Sequence, residues 1–483
     1  MIMQQIIGRQ KEREELVRLY HSGRPEFVVV YGRRRVGKTF LIREHFEGRF
    51  AFYHTGLSPA EMDTEGFDLK REQLRSFCTS LQQYGGEWDT YPADWFDAFD
   101  CLKDLLEMQS SSERLVVFID ELPWMGLESP GFVTALEHFW NNWGAACANL
   151  MLIVCGSAAS WMSDNILNST GGLYGRATFD IHLEPFSLWE CEQFFQSRNI
   201  SMDRYDQIQS YMVFGGIPYY LNYLQPNRSL AQNIDSLFFS KSGKLRKEFS
   251  KLYKSLFADS DKYMQIVRTL AAKRDGLTRK EIAEKTGIAY NGRLTKMLKT
   301  LVLSDFVVSY IYYGGSAKEV YYKLVDSFSL FYLKFVDNQP NVRENFWTTN
   351  LRTPQLNTWR GLAFEDVCMT HIRQIKKALG FSAVESTSSP WRSKEGKAQI
   401  DLLFDRADRV VCVCEMKFSS SEFSVDKEYD AELRRKVDRF AEETRCRKSI
   451  QLALVTTYGL TRNSYSGQFH SAITMDALFE KEA

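Results

Sequence analysis

The chain has 483 residues, more than a single hydrophobic core usually holds, so we expect several domains. Its 61 lysines and arginines equal its 61 aspartates and glutamates, which excludes binding to nucleic acid through bulk positive charge but leaves room for a local basic face. No apolar run approaches the length of a membrane span, and charged residues come too early for a signal peptide, so we expect a cytoplasmic protein without a membrane partner.

The first stretch of interest in chain order, residues 6–16, is a short apolar segment followed by a charged helix. It leads to residues 28–41, VVVYGRRRVGKTFL, where the phosphate-loop pattern G-x-x-x-x-G-K-S/T lies between an apolar strand and a helix. In such a loop backbone N–H groups cradle phosphates, Lys38 reaches the terminal phosphates and Thr39 offers a hydroxyl to Mg²⁺. We therefore predict ATP and Mg²⁺ as cofactors, bound by Gly32, Arg33, Arg34, Arg35, Val36, Gly37, Lys38, Thr39 and Phe40. The three arginines of the loop either add phosphate contacts or face solvent.

A second apolar strand, residues 114–122 (RLVVFIDEL), ends in Asp120 and Glu121. A buried parallel strand is a continuous apolar run, and ligands collect at the carboxyl ends of such strands. Asp120 is thus placed to hold Mg²⁺, and Glu121 to orient or deprotonate the attacking water. A third apolar strand, residues 150–155, leads to Ser157, and the alternation of strands and helices to about residue 225 predicts a parallel α/β sheet.

These motifs together resemble the archaeal-type ATPase family, a relative of the AAA and STAND ATPases. Gly8, Arg9 and Glu12 match the segment that lies by the nucleotide base in that family, although Gln10 stands in place of its first glutamate. The resemblance therefore adds Gly8 and Arg9 to the predicted nucleotide-binding residues. A plain amphipathic helix is the alternative for this segment.

The same resemblance implies roles for two residues farther along the chain. Ser157 would be the sensor that contacts the terminal phosphate or the attacking water, with a helix cap as the alternative. Arg176, in the LYGR sequence of residues 173–176, would be an arginine finger, either in its own site or across the contact of a homo-oligomer. An ordinary surface ion pair is the alternative for Arg176.

The middle of the chain contains three predicted helices followed by a hairpin. The helix patterns span residues 262–273, 278–287 and 291–302, and the alternating strands span residues 306–313 and 320–324. Thr278 and Glu281 predict a capping box at the start of the second helix. This order resembles a winged helix-turn-helix, whose third helix, carrying Arg293, Lys296 and Lys299, would enter the major groove of DNA. The alternative is a protein-contact or spacer domain with a solvated basic helix.

The C-terminal part is predicted to contain a long helix, a hairpin, a basic helix and a further strand. The helix spans residues 359–379, the hairpin strands 398–404 and 409–418, the basic helix 429–442 and the last strand 451–457. On the long helix, Glu365 lies at the edge of the apolar stripe and Asp366 points away from it. The basic helix is either a face for a DNA backbone or solvated surface.

Three charged side chains converge on the predicted hairpin. Period-two alternation puts Glu415 and Lys417 on one face, where Asp401 of the neighbouring strand can join them. Together with Glu365, this pattern resembles the PD-(D/E)xK restriction-endonuclease-like superfamily, although Ile400 replaces the proline before Asp401. The resemblance implies that Asp401 and Glu415 bind Mg²⁺, with Mn²⁺ as an alternative. It also implies that Glu365 is a supporting or second-metal acid and that Lys417 is the catalytic lysine.

We therefore predict a multidomain α/β protein with a P-loop parallel α/β sheet, a winged helix-turn-helix and a restriction-endonuclease-like α/β/α domain. The predicted boundaries are 1–225 for an ATPase domain with a helical lid, 226–257 for connecting helices, 258–326 for the winged-helix-like domain, 327–358 for a helical linker and 359–483 for the nuclease-like domain. The predicted function is ATP hydrolysis coupled to action on DNA, as an ATP-regulated, metal-dependent nuclease of a defence or mobile-element system. The alternatives are a nucleotide-switched regulatory protein whose nuclease-like domain is inactive, and an ATPase that acts on protein partners alone.

Overall fold

The computed structural model describes residues 5–58, 68–88, 91–109, 113–127, 129, 131–169, 171–337 and 344–481. The chain forms two compact units. The first comprises Met1–Pro185, Lys251–Asp261 and Lys299–Asp305, and the second comprises Phe186–Ser250, Lys262–Leu298 and Phe306–Ala483. None of the helices within the described ranges is long and apolar enough to cross a membrane.

The first unit contains a five-stranded parallel sheet. Its strands are β1 (Glu26–Tyr31), β2 (Phe52–Thr55), β3 (Leu115–Asp120), β4 (Leu150–Gly156) and β5 (Phe179–His182), in the order β2-β3-β4-β1-β5. Strands β3 and β4 are buried at every residue, which explains their continuous apolar sequences. The predicted parallel α/β sheet is confirmed, and the carboxyl ends of β1, β3 and β4 meet at one edge.

Helices and a large aromatic core flank this sheet. The helices are α1 (Gln10–Tyr20), α2 (Lys38–His45), α3 (Leu69–Gln83), α4 (Trp95–Met108), α5 (Leu122–Gly126), α6 (Gly131–Asn142) and α7 (Ala159–Met162), with a 3-10 turn at Gly144–Ala146 and a π turn at Ser163–Leu167. In the core, the rings of Trp95 and Phe132 meet edge to face with centroids 4.7 Å apart. Helix α1 begins at Gln10, directly after Arg9, which has a left-handed φ of 54°, so the charged helix predicted after the apolar segment is present.

The remaining helices follow along the chain. They are α8 (Leu188–Ser197), α9 (Arg204–Phe214), α10 (Pro218–Leu221), α11 (Leu230–Ile234), α12 (Glu248–Leu256), α13 (Ser260–Ala271), α14 (Arg279–Thr286), α15 (Gly292–Leu303), α16 (Ser327–Phe335), α17 (Phe346–Asn350), α18 (Pro354–Thr370), α19 (Ile372–Ala378) and α20 (Lys427–Thr444). Shorter turns lie at Asp235–Phe239, Ser466–Gln468 and Met475–Phe479. In the predicted linker, residues 338–343 lie outside the described residues.

A three-stranded antiparallel sheet accompanies α13, α14 and α15. Its strands β6 (Leu277–Thr278), β7 (Val307–Tyr310) and β8 (Tyr321–Leu324) have the order β6-β8-β7. The predicted capping box is confirmed, because Thr278 Oγ1 accepts the Glu281 N–H and the Glu281 side chain accepts the Thr278 N–H. Gly287 ends α14 in the left-handed conformation that a helix C-terminus favours.

A mixed five-stranded sheet forms the C-terminal part of the second unit. Its strands are β9 (Ser386–Arg392), β10 (Gln399–Arg406), β11 (Val410–Lys417), β12 (Ser449–Thr456) and β13 (Phe469–Thr474), in the order β13-β12-β11-β10-β9. The strands β9, β10 and β11 are antiparallel, and β12 and β13 run parallel to β11. The predicted hairpin of β10 and β11 is therefore confirmed.

Three predicted elements are wrong in detail. The predicted helix at 359–379 is two helices, α18 and α19, which are interrupted at the buried His371. The Leu188 N–H donates to His371 Nε2 at 3.0 Å, so Nδ1 carries the proton and donates to the Val367 carbonyl at 2.8 Å. Because Leu188 belongs to a distant segment, the pattern of residues 359–379 did not contain this signal.

The segment between the predicted long helix and the predicted hairpin, where no strand was predicted, contains the strand β9 with Pro390 and the buried Trp391. A sheet-edge strand tolerates proline and needs few apolar residues, so its sequence resembles a loop. The predicted connecting helices at 226–257 are short pieces separated by a π turn with buried Phe238 and Phe239. The first continuous segment of the first compact unit runs to Pro185, and α9, farther along the chain, packs against α16 and α18 of the second unit. The predicted domain boundary at 225 stays a prediction.

Candidate functional site

The loop between β1 and α2 has the backbone that a phosphate loop requires. Gly32 has a φ of 135°, and a Cβ there would lie 2.5 Å from the Leu183 carbonyl oxygen. Gly37 has a φ of 94° and immediately precedes α2. Both glycines therefore allow a conformation that other residues rarely adopt, and Gly32 also allows a close backbone contact.

The side chain of Lys38 lies inside this loop. It is buried, and its Nζ donates to the carbonyls of Gly32 at 2.9 Å and Arg33 at 3.0 Å, and to Ser157 Oγ at 3.2 Å. These partners are neutral acceptors, so the ammonium is held in place with its full positive charge. A preorganised cation beside a helix N-terminus fits the phosphates of a nucleotide.

Thr39 and Asp120 join the loop to the end of β3. Thr39 Oγ1 donates to Asp120 Oδ2 at 2.6 Å, and the Glu121 N–H donates to Asp120 Oδ1 at 2.9 Å. Asp120 is buried, and its carboxylate is the oxygen ligand that a Mg²⁺ shell beside a phosphate loop uses. The structure thus brings together the two residues that we predicted to bind Mg²⁺ at this site.

Glu121 and Ser157 form the adjacent pair. Glu121 has a left-handed backbone with φ 48°, an uncommon conformation for a non-glycine residue that often marks functional sites. Ser157 donates its hydroxyl to Glu121 Oε1 at 2.5 Å and its N–H to Oε2 at 3.1 Å. Ser157 is not the cap of the next helix, since α7 is preceded by Ala158 and has no side-chain cap.

The remaining predicted nucleotide residues surround this loop in different ways. Arg9 is buried, and its guanidinium donates to the Val36 carbonyl at 3.3 Å, so the segment at Gly8 and Arg9 supports the loop directly. Of the three arginines, Arg33 is buried and Arg34 lies 5.6 Å from the Trp124 ring, so these two do not form a purely solvated face. Arg35, which has a left-handed φ of 77°, is partly buried, and Phe40 is exposed.

Arg176 is the last of the residues that were predicted for the first site. It is exposed on the turn that follows Leu173, whose carbonyl accepts the Arg176 N–H at 3.0 Å. Among the described residues no acidic side chain lies within ion-pair distance of it, so the surface ion pair that we considered is not formed there. Its role as an arginine finger stays a prediction.

The predicted acidic residues of the second unit lie on α18 and on the hairpin. The ladder that pairs Leu402 with Cys414 places Asp401 and Glu415 side by side at one end of β10 and β11. Burial and the negative charge of Asp401 raise the pKa of Glu365 to about 8, while Lys323 and Lys417 act in the opposite direction. Glu365 and Asp401 are therefore close enough for their charges to interact.

Glu415 has different surroundings from these two acids. It is buried, Lys436 Nζ lies 2.6 Å from its Oε1, and the Tyr429 hydroxyl donates to its Oε2 at 3.1 Å. The ammonium of Lys417 lies 4.9 Å from the centre of the Tyr429 ring. The basic helix α20 thus directs Lys436 onto Glu415 instead of presenting it on an outer face.

The second site offers two carboxylates, those of Glu365 and Asp401, as oxygen ligands. In the parts of the chain that the structure describes, no three His, Cys, Asp or Glu side chains form a group that can hold a metal ion. Mg²⁺ often uses only one or two carboxylates together with substrate phosphates and water. The close acids Glu365 and Asp401 match that pattern, since a cation would relieve their mutual repulsion, whereas both oxygens of Glu415 already have partners.

Comparisons with known proteins address the first site. Residues 6–224 match a family described as an ATPase domain predominantly from Archaea. The first site therefore lies in a region that is similar to an ATPase domain. An uncharacterized protein of Methanocaldococcus jannaschii, MJECL04, is 26% identical over 380 residues, which cover 77% of this chain and 78% of that protein.

Solved structures with a similar backbone include two archaeal proteins. The Walker-type ATPase PABY2304 of Pyrococcus abyssi has a TM-score of 0.48 and 19% identity, over 68% of this chain and 96% of that chain. Cdc6p from Pyrobaculum aerophilum has a TM-score of 0.32 and 12% identity, over 68% of this chain and 94% of that chain. Both TM-scores lie below 0.5.

Sequence reasoning misplaced Asp366. It was predicted to point away from the core, but it is only 5% exposed and pairs with two cations. Arg274 Nη2 lies 2.6 Å from its Oδ2, and Lys323 Nζ lies 3.0 Å from its Oδ1. These partners come from other elements, so the local sequence pattern of α18 could not predict them.

The basic side chains of α15, the predicted DNA-reading helix, are not all available for contact with DNA. Lys296 is exposed, as a reading helix requires. Lys299 instead lies 3.0 Å from the carboxylate of Asp164 within the first unit. One of the three predicted basic contacts is therefore already engaged with a carboxylate of the protein.

Proposed function

We propose that this protein hydrolyses ATP and couples the nucleotide state to action on DNA, with a metal-dependent nuclease site in the second unit. The observation that carries the ATP half is the continuous set of contacts from Lys38 through Ser157 to Glu121, beside Thr39 and Asp120. This set contains a lysine for the phosphates, a hydroxyl and a carboxylate for Mg²⁺, and a carboxylate for the attacking water.

In the proposed hydrolysis each residue has one role. Lys38 neutralises the terminal phosphates, and Thr39 and Asp120 supply oxygens to the Mg²⁺ shell. Glu121 accepts a proton from the attacking water, and its present bond to Ser157 keeps the carboxylate directed to the strand ends. Mg²⁺, when bound, offsets the negative charge that builds up on the phosphate oxygens.

Two variants test this half by separating binding from chemistry. Glu121→Gln is expected to retain ATP binding and lose hydrolysis by about 10² to 10³-fold, while Lys38→Ala loses both. The exposed Lys70→Ala on α3 is the matched control and keeps both activities. Hydrolysis at the wild-type rate in Glu121→Gln would remove Glu121 from the mechanism.

The order of elements in the second unit supports the DNA half. The elements follow the order that we associated with a restriction-endonuclease-like domain. This order is helix α18, the antiparallel strands β10 and β11, helix α20 and then β12, which is parallel to β11. Helices α13 to α15 with the β7 and β8 hairpin have the order of a winged helix-turn-helix. We propose that this part carries the DNA contact.

In the proposed DNA cleavage, the residues at and next to the acidic pair each have a role. Glu365 and Asp401 would hold Mg²⁺ or Mn²⁺, which activates water and offsets charge at the scissile phosphate. Lys417, which follows Glu415 by two residues on β11, would neutralise that phosphate. Glu415, fixed by Lys436 and Tyr429, would keep this end of the hairpin in place.

A gel assay with plasmid and linear DNA tests the nuclease half. We expect Mg²⁺- or Mn²⁺-dependent cuts that disappear in Asp401→Ala and Lys417→Ala, and that change with ATP only when Lys38 is intact. Lys427→Ala, an exposed lysine at the start of α20, is the control. Cuts that persist in both site variants would point to a contaminating nuclease and contradict the proposal.

One observation favours a second function. Glu415 is engaged by a lysine and a tyrosine, as expected for a site that has become structural. In that case the protein is a nucleotide-switched regulator that binds DNA or a protein through the second unit. ATP-dependent, salt-sensitive DNA binding without cuts would favour this function, and the absence of DNA binding would favour action on protein partners alone.

A further inference from the structure

The acidic pair of Glu365 and Asp401 has a cation beside it that belongs to another part of the second unit. Lys323 lies on β8 of the three-stranded sheet, and its side chain is only 22% exposed. Its Nζ lies 3.0 Å from Oδ1 of Asp366, the residue after Glu365 on α18. Although burial acts in the other direction, the charges of Asp366 and Asp401 raise the pKa of Lys323, which keeps it cationic.

The charges around Asp366 do not balance by themselves. Two cations, Arg274 at 2.6 Å and Lys323 at 3.0 Å, face this single buried carboxylate. The group therefore has one excess positive charge, located next to Glu365. A buried charge group is tolerated when neighbouring groups compensate it, and Asp401, whose charge raises the pKa of Lys323, is such a group here.

A second link connects the same part of the chain to Asp401. Gln399 Nε2 donates to Asp401 Oδ1 at 2.8 Å and lies 3.5 Å from Oδ1 of Asp275, the residue after Arg274. The Tyr312 hydroxyl donates to the Asp275 carbonyl at 3.3 Å and so helps to fix this turn. Asp401 is thus held through Gln399, and Asp366, the neighbour of Glu365, is held by Lys323 of the three-stranded sheet.

We propose that Lys323, anchored by Asp366, is a positioning residue of the acidic site and sets how strongly Glu365 and Asp401 bind a divalent cation. The inference rests on the proposed nuclease function and deepens it. It places control of the metal site in the strand β8, which forms the hairpin next to the proposed DNA-reading helix.

The charges of Lys323 and Asp366 predict opposite effects for their two substitutions. Lys323→Met removes a repelling cation and should tighten Mn²⁺ binding about tenfold. Asp366→Asn removes the anion that holds Lys323 and Arg274, so it should weaken Mn²⁺ binding about tenfold. Lys323→Arg keeps the charge and should stay within about twofold of wild type. The double variant Lys323→Met with Asp366→Asn should return towards the wild-type affinity.

The test is a Mn²⁺ titration of the full chain without nucleotide, followed by electron paramagnetic resonance, with DNA cleavage measured on the same samples. The binding component that disappears in Asp401→Ala reports the acidic site. Lys280→Met is the matched control, since this exposed lysine lies on α14 and pairs with Glu284 at 3.9 Å. Loss of folding would weaken binding in every variant, so tighter binding in Lys323→Met cannot arise from it.

The outcomes separate the two proposals. Unchanged or weaker Mn²⁺ binding in Lys323→Met, with cleavage by the wild type, overturns the role of Lys323 and leaves the nuclease proposal standing. The expected opposite shifts without any cleavage support the role of Lys323 and overturn the nuclease proposal. No Asp401-dependent Mn²⁺ binding in the wild type overturns both.

Discussion

The two candidate sites differ in where their charged groups find partners. In the ATP site, Lys38, Thr39, Asp120, Glu121 and Ser157 bond to one another or to the loop, and all lie at the carboxyl edge of one parallel sheet. In the acidic site, the partners are cations from β8 and α20 that no motif includes. The phosphate site is therefore specified mainly by its backbone, whereas the carboxylate site depends on counter-charges from other elements of the fold.

The largest expected effect tests how strictly the backbone specifies the ATP site. Gly32→Ala should destabilise the first unit by about 4 kcal/mol and abolish ATP binding, because its Cβ would meet the Leu183 carbonyl. Gly23→Ala is the control, since Gly23 also has a positive φ but nothing within 4 Å of the new Cβ, and should cost about 1 kcal/mol. Urea unfolding measures the stability of each variant, and ATP titration measures its nucleotide binding. Equal effects of the two substitutions would show that the close backbone contact is unimportant.

The next effect tests the dependence of the acidic site on distant cations. Lys436→Met leaves the buried Glu415 carboxylate with only Tyr429 and should destabilise the second unit by about 3 kcal/mol. Adding Glu415→Gln should recover much of that loss, since the unpaired charge is removed. Lys397→Met, which breaks an exposed pair with Glu395 in the same unit, should have little effect. The prediction fails if both single variants have the same unfolding midpoint.

The third effect is the pH dependence of stability, which arises from a histidine in the core of the first unit and not from the ATP site. Burial lowers the pKa of His54 to about 4, whereas an unfolded histidine titrates near 6.5. Between these values the unfolded chain binds a proton that the folded chain does not, so stability is complete above about pH 6.5 and decreases as pH falls. At pH 5 the loss should be about 2 kcal/mol.

Urea midpoints at pH 7 and pH 5, measured for the wild type and for His54→Asn, check this linkage. The asparagine can keep a hydrogen bond to Ser80, whose Oγ lies 2.9 Å from His54 Nδ1. The wild type should lose more stability than the variant. Parallel pH profiles would exclude His54 as the source.

The smallest effect concerns the capping box in the proposed DNA-contact region. Thr278→Ala removes the acceptor for the Glu281 N–H and should cost about 1 kcal/mol of local stability. Hydrogen exchange of the first turn of α14 measures it directly. Thr269→Ala, an exposed position inside α13, is the control and should leave that turn unchanged. Faster exchange in both variants would indicate a general loosening.

Much of the first site could be predicted from the sequence because its signals are local. The glycine spacing fixes the loop backbone, the apolar runs fix the buried strands, and a parallel sheet then brings their carboxyl ends together. Asp120 could be placed next to Lys38 and Thr39 on these grounds alone, whereas the role of Ser157 came from the family resemblance. The hairpin that pairs β10 with β11 followed from period-two alternation in the same way.

Tertiary structure alone decided the charges of the second site. The periodicity of α18 predicted that Asp366 faces away from the core, yet Arg274 and Lys323 cover it. Lys436 looked like part of a DNA-binding face and is instead paired with Glu415. A sequence pattern records which residues are apolar, and local spacing records which share a face. The partner of a buried charge is set by long-range packing, which neither signal contains.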